Sequence, residues 1–157
     1  MTHRILGIDP GLSGGLSLLE TARGTMFSLA AVPMPTVSLN KKGEIDLAAL
    51  GALLTEWRPS VCWIEEQQAM PRQGVSSTFR TGYNYGLLRG FIHARGIPIN
   101  PVHPATWKAS IGVPSDKSAA RAIASRILPA HSHLWAKVKD DGLAEAALIA
   151  LYGSRRA

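Results

Sequence analysis

Acidic side chains stand at three places in the sequence where an apolar element begins or ends. One acid closes the run "RILGID", two close "VCWIEE", and two open "DDGLAEAALIALYG"; they are Asp9, Glu65, Glu66, Asp140 and Asp141. Converging carboxylates repel one another, and a divalent cation relieves that repulsion. Oxygen-only ligands suit Mg²⁺ or Mn²⁺. Two such ions can activate water and stabilise the leaving oxygen of a phosphodiester, so the pattern predicts a phosphodiester-cleaving metal site.

Each acidic group also has a simpler structural interpretation. Asp9 precedes Pro10-Gly11 and could begin a turn. The two glutamates could form a solvated strand end, and the two later aspartates could cap a helix and favour its dipole. The joint pattern favours a shared site, because the functional crevice of an open α/β sheet lies beyond the carboxyl ends of its strands.

The hydrophobic pattern predicts the elements that would position these acids. Three short strands at hairpin spacing indicate an antiparallel meander, and two later strands are each preceded by a helix. The predicted strands cover 3–9, 14–20, 24–33, 60–66 and 97–102. The predicted helices cover 46–57, 76–96, 105–112, 115–129 and 140–153, and the segments 35–45 and 130–139 are predicted as loops.

Strands separated by helices imply parallel neighbours with right-handed crossovers. The order therefore predicts an α/β fold with a mixed sheet, in which the first three strands are antiparallel, the later strands are parallel, and helices cover both faces. Asp46 is the predicted N-cap of the first helix, and Ser115 or Asp116 of the fourth.

Length and composition bound the class of protein. A chain of 157 residues suits one domain, here predicted over 1–157, and a hydrophobic content of 46% argues against disorder. Cys62 is the single cysteine, so no internal disulfide can form. Together with the lack of a visible signal peptide, this favours a cytoplasmic location. No apolar stretch approaches 18 residues, so we expect no membrane span.

The charge of the chain points to an anionic partner. The formal net charge is +6 and the sequence pI is about 9.9. Basic residues concentrate in the middle of the chain, where the segment 72–126 contains a single acid, Asp116. This distribution favours a nucleic acid as the partner.

Four motifs occur in a fixed order through most of the chain: "GIDPGLSGG", "WIEEQQAM", "WKASIG" followed by "SDKSAA", and "KDDGLAEAALIALYG". Together they resemble the RuvC family of Holliday junction resolvases, in the form common among phages and prophages. The resemblance implies an RNase H-like fold and a homodimer. It also implies a crossover junction endodeoxyribonuclease that nicks four-way DNA junctions symmetrically, with Mg²⁺ or Mn²⁺ and two ions per active site.

The resemblance assigns the metal ligands residue by residue. Asp9 matches the first-strand aspartate, Glu65 matches the glutamate of the family's "IE" strand end, and Asp141 matches the aspartate at the start of the last helix. Strand parity alone leaves Glu66 open as the alternative to Glu65, because the two side chains point to opposite faces.

The fourth ligand departs from the family pattern. The family usually has an acid or a histidine three residues before the last aspartate, and this chain has Val138 there. Asp140 is the predicted substitute. Glu145 is the second candidate, because it follows Asp141 by four residues and so shares its helix face.

Basic residues after the catalytic strands are assigned to DNA. Lys108 and Lys117 match positions that the family uses near the scissile phosphate, and Lys117 is assigned a catalytic role as well. Lys117 lies just inside a predicted helix start, where free backbone N–H groups also favour phosphate. Arg121 would extend the same face, and Ser118 would add a hydrogen bond.

The loop "AMPRQGVSSTF" is expected to reach toward the centre of the junction. Met70 is the predicted apolar wedge against unstacked bases, and Arg72 is the predicted phosphate contact. Gln73 and Ser76 are predicted polar contacts. Phe79 is the second candidate for the wedge, with burial in the core as its simpler interpretation.

Gly82, Gly86 and Gly90 recur every four residues on the long second helix. Glycine is unfavourable in a helix, so a stripe of three indicates a close approach of another backbone. Tight packing on the sheet is one interpretation. The resemblance supports the other, a homodimer contact that would place two active sites about a two-fold axis.

Three rival functions follow from the same residues. The chain could be another RNase H-like nuclease that acts on forks, flaps or RNA. It could be an inactive junction-binding module, because the fourth ligand is displaced. An ATP-using protein of the actin and sugar-kinase kind also starts with an Asp-x-Gly loop, but this chain is short for that two-domain fold.

Overall fold

The computed structural model describes residues 1–39, 42–116 and 118–156. The described chain forms seven strands: β1 (Thr2–Asp9), β2 (Gly15–Ala22), β3 (Thr25–Pro33), β4 (Thr36–Leu39), β5 (Lys42–Ile45), β6 (Val61–Glu65) and β7 (Ile99–Val102). Five of them form one sheet in the order β3-β2-β1-β6-β7. β1, β2 and β3 pair antiparallel, whereas β6 pairs in parallel with β1 and with β7. The predicted mixed sheet is confirmed.

Five α-helices connect and cover the strands: α1 (Leu47–Trp57), α2 (Val75–Ala94), α3 (Pro104–Ile111), α4 (Ala119–Ile127) and α5 (Asp141–Ser154). Asp46 caps α1 as predicted, since its Oδ1 accepts the backbone N–H of Ala49 at 3.0 Å. α4 begins later than predicted, with Ser118 at its N-cap position. Within the described ranges, no helix is long and apolar enough to cross a membrane.

Two predicted loops are wrong. The segment 35–45 contains the antiparallel pair of β4 and β5, and residues 40 and 41 lie outside the described residues. Ile45 anchors this pair in the core, and Arg80 of α2 donates to the Gly43 carbonyl at 2.8 Å. The segment 130–139 contains 3₁₀ turns at Pro129–Trp135 and Val138–Asp140. Buried Trp135 holds the first turn, because its indole N–H donates to Ser125 at 3.0 Å.

Both faces of the sheet are covered, as predicted. α3, α4 and α5 pack on one face with a core that contains Ile5, and α1 and α2 pack on the other with a core that contains Leu6 and Ile8. This alternation explains why β1 is apolar at nearly every position. At Gly7 a side chain would overlap the backbone of α5, so this helix crosses directly over β1.

The register of β1 and β6 positions the first acids. Ile8 is opposite Ile64 in the parallel pair, so Asp9 and Glu65 follow at the same edge of the sheet. Alternate residues of a strand share a face, so Asp9 lies on the same face as Ile5, and Glu65 on the same face as Val61. Ile5 and Val61 pack with the α5-side core. Asp9 and Glu65 therefore point to the face covered by α5.

Candidate active site

Close packing of glycines brings the start of α5 to the ends of the strands. A side chain at Gly142 would meet the backbone of Gly14, at the turn between β1 and β2. The same packing is seen from the other side, where Gly15 lies against Gly142. This contact places the first turns of α5 beside Asp9. The acid that follows Asp141 along this helix is Glu145.

The Asp9 carboxyl is the most perturbed acid of the site. Its pKa is raised from 3.8 to about 8, chiefly by burial and then by the neighbouring charges of Glu145 and Glu65. The Asp9 and Glu145 carboxyls lie within hydrogen-bonding reach, and the backbone N–H of Gly11 offsets the shift in part. Asp9, Glu65 and Glu145, here called the carboxylate cluster, therefore lie together at the end of β1.

Two residues of α3 contact the cluster. The indole N–H of Trp107, which is fully buried, donates to Glu65 Oε2 at 2.7 Å, and Lys108 Nζ lies 3.3 Å from Glu145 Oε1. Burial and the Glu145 charge raise the pKa of Glu65, whereas the Trp107 hydrogen bond and the Lys108 charge lower it. The cluster thus has a hydrogen-bond donor on one side and one cation on the other.

The donor set of the cluster fits a divalent cation. Across the described parts of the chain, no three acidic, histidine or cysteine side chains converge as a ready-made metal site. Glu65 binds Trp107, and Glu145 binds Lys108. The fit rests on chemistry instead. Three carboxyls supply only oxygen donors, and the raised pKa of Asp9 shows that ionising it, buried beside two further carboxyls, is unfavourable without a cation.

The two predicted ligands at the start of α5 lie apart from the cluster. Asp141 Oδ1 accepts from Arg121 Nε of α4 at 2.7 Å. Asp140 Oδ2 accepts the backbone N–H of Lys137 at 3.0 Å and so caps the preceding 3₁₀ turn. Neither charge is among the main causes of the raised pKa values of Asp9 and Glu65.

Of the predicted acids of α5, the structure places Glu145, the alternative to Asp140 as fourth ligand, beside Asp9. The assignment of Asp140 and Asp141 as ligands stays a prediction. The physical reason for the position of Glu145 is the helix geometry. Glu145 lies about 6 Å beyond Asp141 along α5, and the Gly14–Gly142 contact brings this part of the helix to the end of β1. Arg121 meanwhile binds the Asp141 carboxylate.

Glu66 lies on the other side of its strand from Glu65, although both line the groove beside the cluster. Its charge raises the pKa of Tyr85, on α2, and its backbone N–H donates to the Val102 carbonyl. Because successive strand residues point to opposite faces, Glu66 faces α2 while Glu65 faces α5. The structure thus places the predicted Glu65, rather than its alternative, beside Asp9.

The predicted DNA contacts are distributed unevenly. Lys108 lies at the cluster, whereas the Arg121 guanidinium is engaged by Asp141. Ser118 is exposed, and its backbone N–H donates to Asp116 Oδ1 at 3.0 Å. Lys117 lies outside the described residues.

The loop after β6 carries exposed residues beside the cluster. Met70 is 65% exposed, and together with Glu65 and Lys108 it lines a groove of about 540 Å³. Arg72 is exposed in a left-handed conformation, with φ of 65°. Gln73 accepts the backbone N–H of Met70 and donates to Ser77 and Thr81, so its side chain holds the loop.

Two further residues of α2 are exposed to solvent. Ser76 lies in the first turn of the helix. Phe79 is 71% exposed and stacks on Tyr83, so burial in the core, its simpler interpretation, is wrong. Both are therefore accessible to a partner.

The glycine stripe of α2 faces away from the sheet. At Gly82, Gly86 and Gly90 an added Cβ would meet nothing within 4 Å among the described residues. The three glycines line an open groove of about 670 Å³ with Tyr85 and others. Packing within the chain is therefore not the reason for this stripe, and the prediction of a dimer contact there stays a prediction.

Sequence reasoning missed Trp107 altogether. A buried indole normally needs a hydrogen-bond acceptor, and the one here is a carboxylate of the cluster. The signal was the position of Trp107 directly before Lys108 in "WKASIG". The sequence did not reveal how α3 is positioned against β6, and this position determines whether Trp107 contacts Glu65.

Curated proteins of similar sequence are resolvases. The chain is 27% identical over 135 residues to the crossover junction endodeoxyribonuclease RuvC of Pseudarthrobacter chlorophenolicus, which covers 82% of this chain and 69% of that protein. It is also 27% identical to the protein of the same name from Paenarthrobacter aurescens, with 100% of this chain and 84% of that protein covered. No family model matches the chain.

Solved structures of similar fold are resolvases as well. RuvC of T. thermophilus in complex with a Holliday junction substrate superposes with a TM-score of 0.62 at 20% identity, covering 99% of this chain and 96% of that one. The yeast mitochondrial Holliday junction resolvase gives 0.63 at 17% identity, with 98% and 78% covered. These comparisons confirm the resemblance to RuvC and the RNase H-like fold that it implied.

Proposed function

We propose that this chain, similar in sequence and fold to RuvC resolvases, is a metal-dependent, structure-selective DNA endonuclease that resolves four-way junctions by paired symmetric nicks. The observation that carries the proposal is the carboxylate cluster. Asp9, Glu65 and Glu145 come from remote segments of the chain and meet at the carboxyl edge of the sheet, where burial raises the pKa of Asp9.

Asp9, Glu65 and Glu145 are the residues that would hold the cation in this arrangement. When bound, a divalent cation supplies a Lewis acid that activates water and stabilises the leaving oxygen of the phosphodiester. We infer Mg²⁺ or Mn²⁺ from the oxygen-only donor set. The proposal of two ions per active site comes from the resemblance to RuvC. Asp140 and Asp141 keep a role in this site only if Arg121 and the Lys137 backbone release them.

Trp107 and Lys108 would complete the site from α3. Trp107 fixes the orientation of the Glu65 carboxylate through its hydrogen bond. Lys108 lies at the open side of the cluster, where its ammonium can meet a phosphate and stabilise the charge that develops during hydrolysis. Met70, in the same groove, is the proposed contact with unstacked bases.

A homodimer would match the symmetry of a four-way junction. The glycine stripe of α2, with no side chain packed on it, offers a surface on which a second copy could approach closely. An isologous contact would repeat one active site about a two-fold axis and so produce two symmetric nicks. We propose that residues 1–157 form one such nuclease domain.

The test is the cleavage of a set of labelled DNA substrates with Mg²⁺ or Mn²⁺: mobile and fixed four-way junctions, forks, flaps and duplex, with an RNA–DNA hybrid beside them. We expect paired nicks at symmetric positions on the junctions and little cleavage of duplex. Glu145→Gln is the inactive control. Preferred cleavage of forks, flaps or the hybrid would assign another RNase H-like nuclease, and binding without cleavage would indicate an inactive junction-binding module.

A further inference from the structure

The groove beside the carboxylate cluster brings together acidic and basic residues from different elements. Glu65 and Glu66 come from the end of β6 and the residue after it, whereas His103 and Lys108 come from the start and the body of α3. Lys108 contacts Glu145, but His103 has no part in the site described so far. A second side chain that donates hydrogen bonds in this groove is suited to the phosphates of a DNA strand.

The register of β7 places His103 at the catalytic edge of the sheet. β7 pairs in parallel with β6, with Val102 opposite Glu65, and His103 is the next residue. The charge of a protonated His103 ring lowers the pKa of Glu65, so the ring lies close to that carboxyl. His103 is also exposed, and it lines the groove with Met70 and Lys108, so a DNA strand in the groove can reach it.

One hydrogen bond fixes the orientation of the His103 ring. His103 occupies the N-cap position of α3, and its Nδ1 accepts the backbone N–H of Ala105 at 3.2 Å. When Nδ1 is the acceptor, the proton of the ring is on Nε2. Nε2 lies on the side of the ring away from the helix start. The cap therefore holds a hydrogen-bond donor that a ligand in the groove can use.

The spacing of His103 and Lys108 suits two successive phosphates. They are five residues apart on α3, which corresponds to ~7.5 Å along a helix axis, close to the step between neighbouring phosphates of one DNA strand. We propose that the Nε2–H of His103 binds the phosphate next to the one that is cut, while Lys108 meets the cut phosphate at the cluster. This inference rests on the proposed function and adds a substrate contact to it.

A contact with the neighbouring phosphate would position the strand. It would fix the register of the DNA backbone against the carboxylate cluster, so that the phosphodiester to be cut lies at the cation site. Because the contact is to the backbone, it carries no preference for a base. His103 is thus assigned to strand positioning, whereas Trp107 acts on the orientation of Glu65.

The first test is His103→Ser. Serine is also a good N-cap residue, so α3 and the melting temperature should be retained, but its side chain is too short to reach the groove. We expect junction binding in the presence of a chelator to weaken about tenfold or more, because a hydrogen bond to a charged group is lost. The matched control is His3→Ser, at the other end of β1 from Asp9, which should bind and cleave as wild type does.

The second test replaces single phosphates of the junction by neutral methylphosphonates, one position at a time around the cleavage site. We expect one position next to the cut to weaken binding by wild type and to have little further effect on His103→Ser, because that contact is already lost. Independent effects of the variant and the methylphosphonate at every position would overturn the assignment.

The metal dependence separates this role from an effect on the cation site. His103→Ser should require the same Mn²⁺ concentration as wild type, since its loss is in DNA binding. A raised Mn²⁺ requirement with unchanged DNA binding would contradict the phosphate contact. If His103→Ser melts well below wild type, His103→Asn, with another good N-cap residue, takes its place in the same measurements.

The outcomes distinguish the His103 contact from the proposed function. A wild-type chain that cleaves none of the junctions contradicts the proposed function. Active wild type together with a folded His103→Ser variant that binds and cleaves junctions equally well overturns the His103 contact alone.

Discussion

Two acidic groups near the start of α5 differ in how their charges are compensated. Asp140 and Asp141 each have a local partner, the Lys137 backbone and the Arg121 guanidinium. In the carboxylate cluster, Asp9, Glu65 and Glu145 are close to one another, and the pKa of Asp9 rises to about 8.

The difference separates acids that support the structure from acids that can bind a ligand. Asp140 and Asp141 each have one partner and are not among the acids that raise the pKa of Asp9, whereas Lys108 beside Glu145 and Trp107 beside Glu65 do not offset the burial and repulsion in the cluster. Carboxylates that are buried together destabilise the protein when they are ionised, and a divalent cation removes that cost. The protein retains this unfavourable arrangement at the edge of its sheet, which is the signature of a functional site.

The largest expected effect is on the rate of junction cleavage, which should distinguish the carboxylate cluster from Asp140 and Asp141. Glu145→Gln should lower the rate of junction cleavage by about 10³-fold or more, equivalent to ~4 kcal/mol of barrier, because it removes a cation ligand. Asp141→Asn should change the rate by only a few fold, since Asp141 binds Arg121. Single-turnover cleavage at saturating enzyme measures both.

Equal losses in these two variants would show that Asp141 enters the site when DNA or metal binds, as the sequence motif predicts. A full loss in Asp141→Asn with an active Glu145→Gln would reverse our assignment. Circular dichroism of both variants checks that the fold is retained.

A smaller effect is expected at Trp107. Trp107→Phe keeps the aromatic packing of α3 but removes the N–H that donates to Glu65 at 2.7 Å. Residues that orient a metal ligand typically contribute 10- to 100-fold, so we expect cleavage to fall about tenfold and the required Mn²⁺ concentration to rise. Metal titrations of the rate separate these effects from a loss of folded protein.

The matched control for Trp107 is Trp135→Phe, which removes another buried indole hydrogen bond, to Ser125, away from the cluster. A similar loss of activity in both variants would mean that Trp107 acts only through stability. Wild-type metal dependence in Trp107→Phe would contradict its positioning role.

The pH dependence of stability should also distinguish the groups. The pKa of Asp9 is raised by folding from 3.8 to about 8, so the folded protein binds the proton more tightly than the unfolded chain. Without metal, the contribution of Asp9 to stability is complete below about pH 4 and is lost as the pH rises toward 8. Asp9→Asn should therefore stabilise the metal-free protein at pH 8 by about 2 kcal/mol or more.

Urea unfolding in the presence of a chelator at pH 5 and pH 8 measures this change in the free energy of unfolding with pH. Asp141→Asn, which removes a partly exposed ion pair, should change the stability by about 0–1 kcal/mol. A wild-type protein that gains stability between these two pH values would contradict the Asp9 assignment.

The sequence predicted the parts of this molecule that depend on local pattern. β1, β6 and α5 follow from apolar runs and their bounding residues, and the Asp46 cap follows from its side chain. Asp9 and Glu65 could be paired because parallel neighbours end at the same sheet edge.

The choice among the acids of α5 could not be made from spacing. Asp141 and Glu145 share one helix face, and which of them reaches Asp9 depends on how far α5 slides along β1, a position fixed by contact between Gly14 and Gly142. Trp107 was missed for a related reason. Its importance lies in its hydrogen bond to Glu65, which only tertiary packing determines.

The most direct measurement is Mn²⁺ binding by titration calorimetry to wild type, Glu145→Gln and Asp141→Asn, in the absence of DNA. Our account predicts that Asp141→Asn binds as wild type does and that Glu145→Gln loses binding by about tenfold or more. Binding that survives Glu145→Gln but is lost in Asp141→Asn would contradict the carboxylate cluster as the metal site.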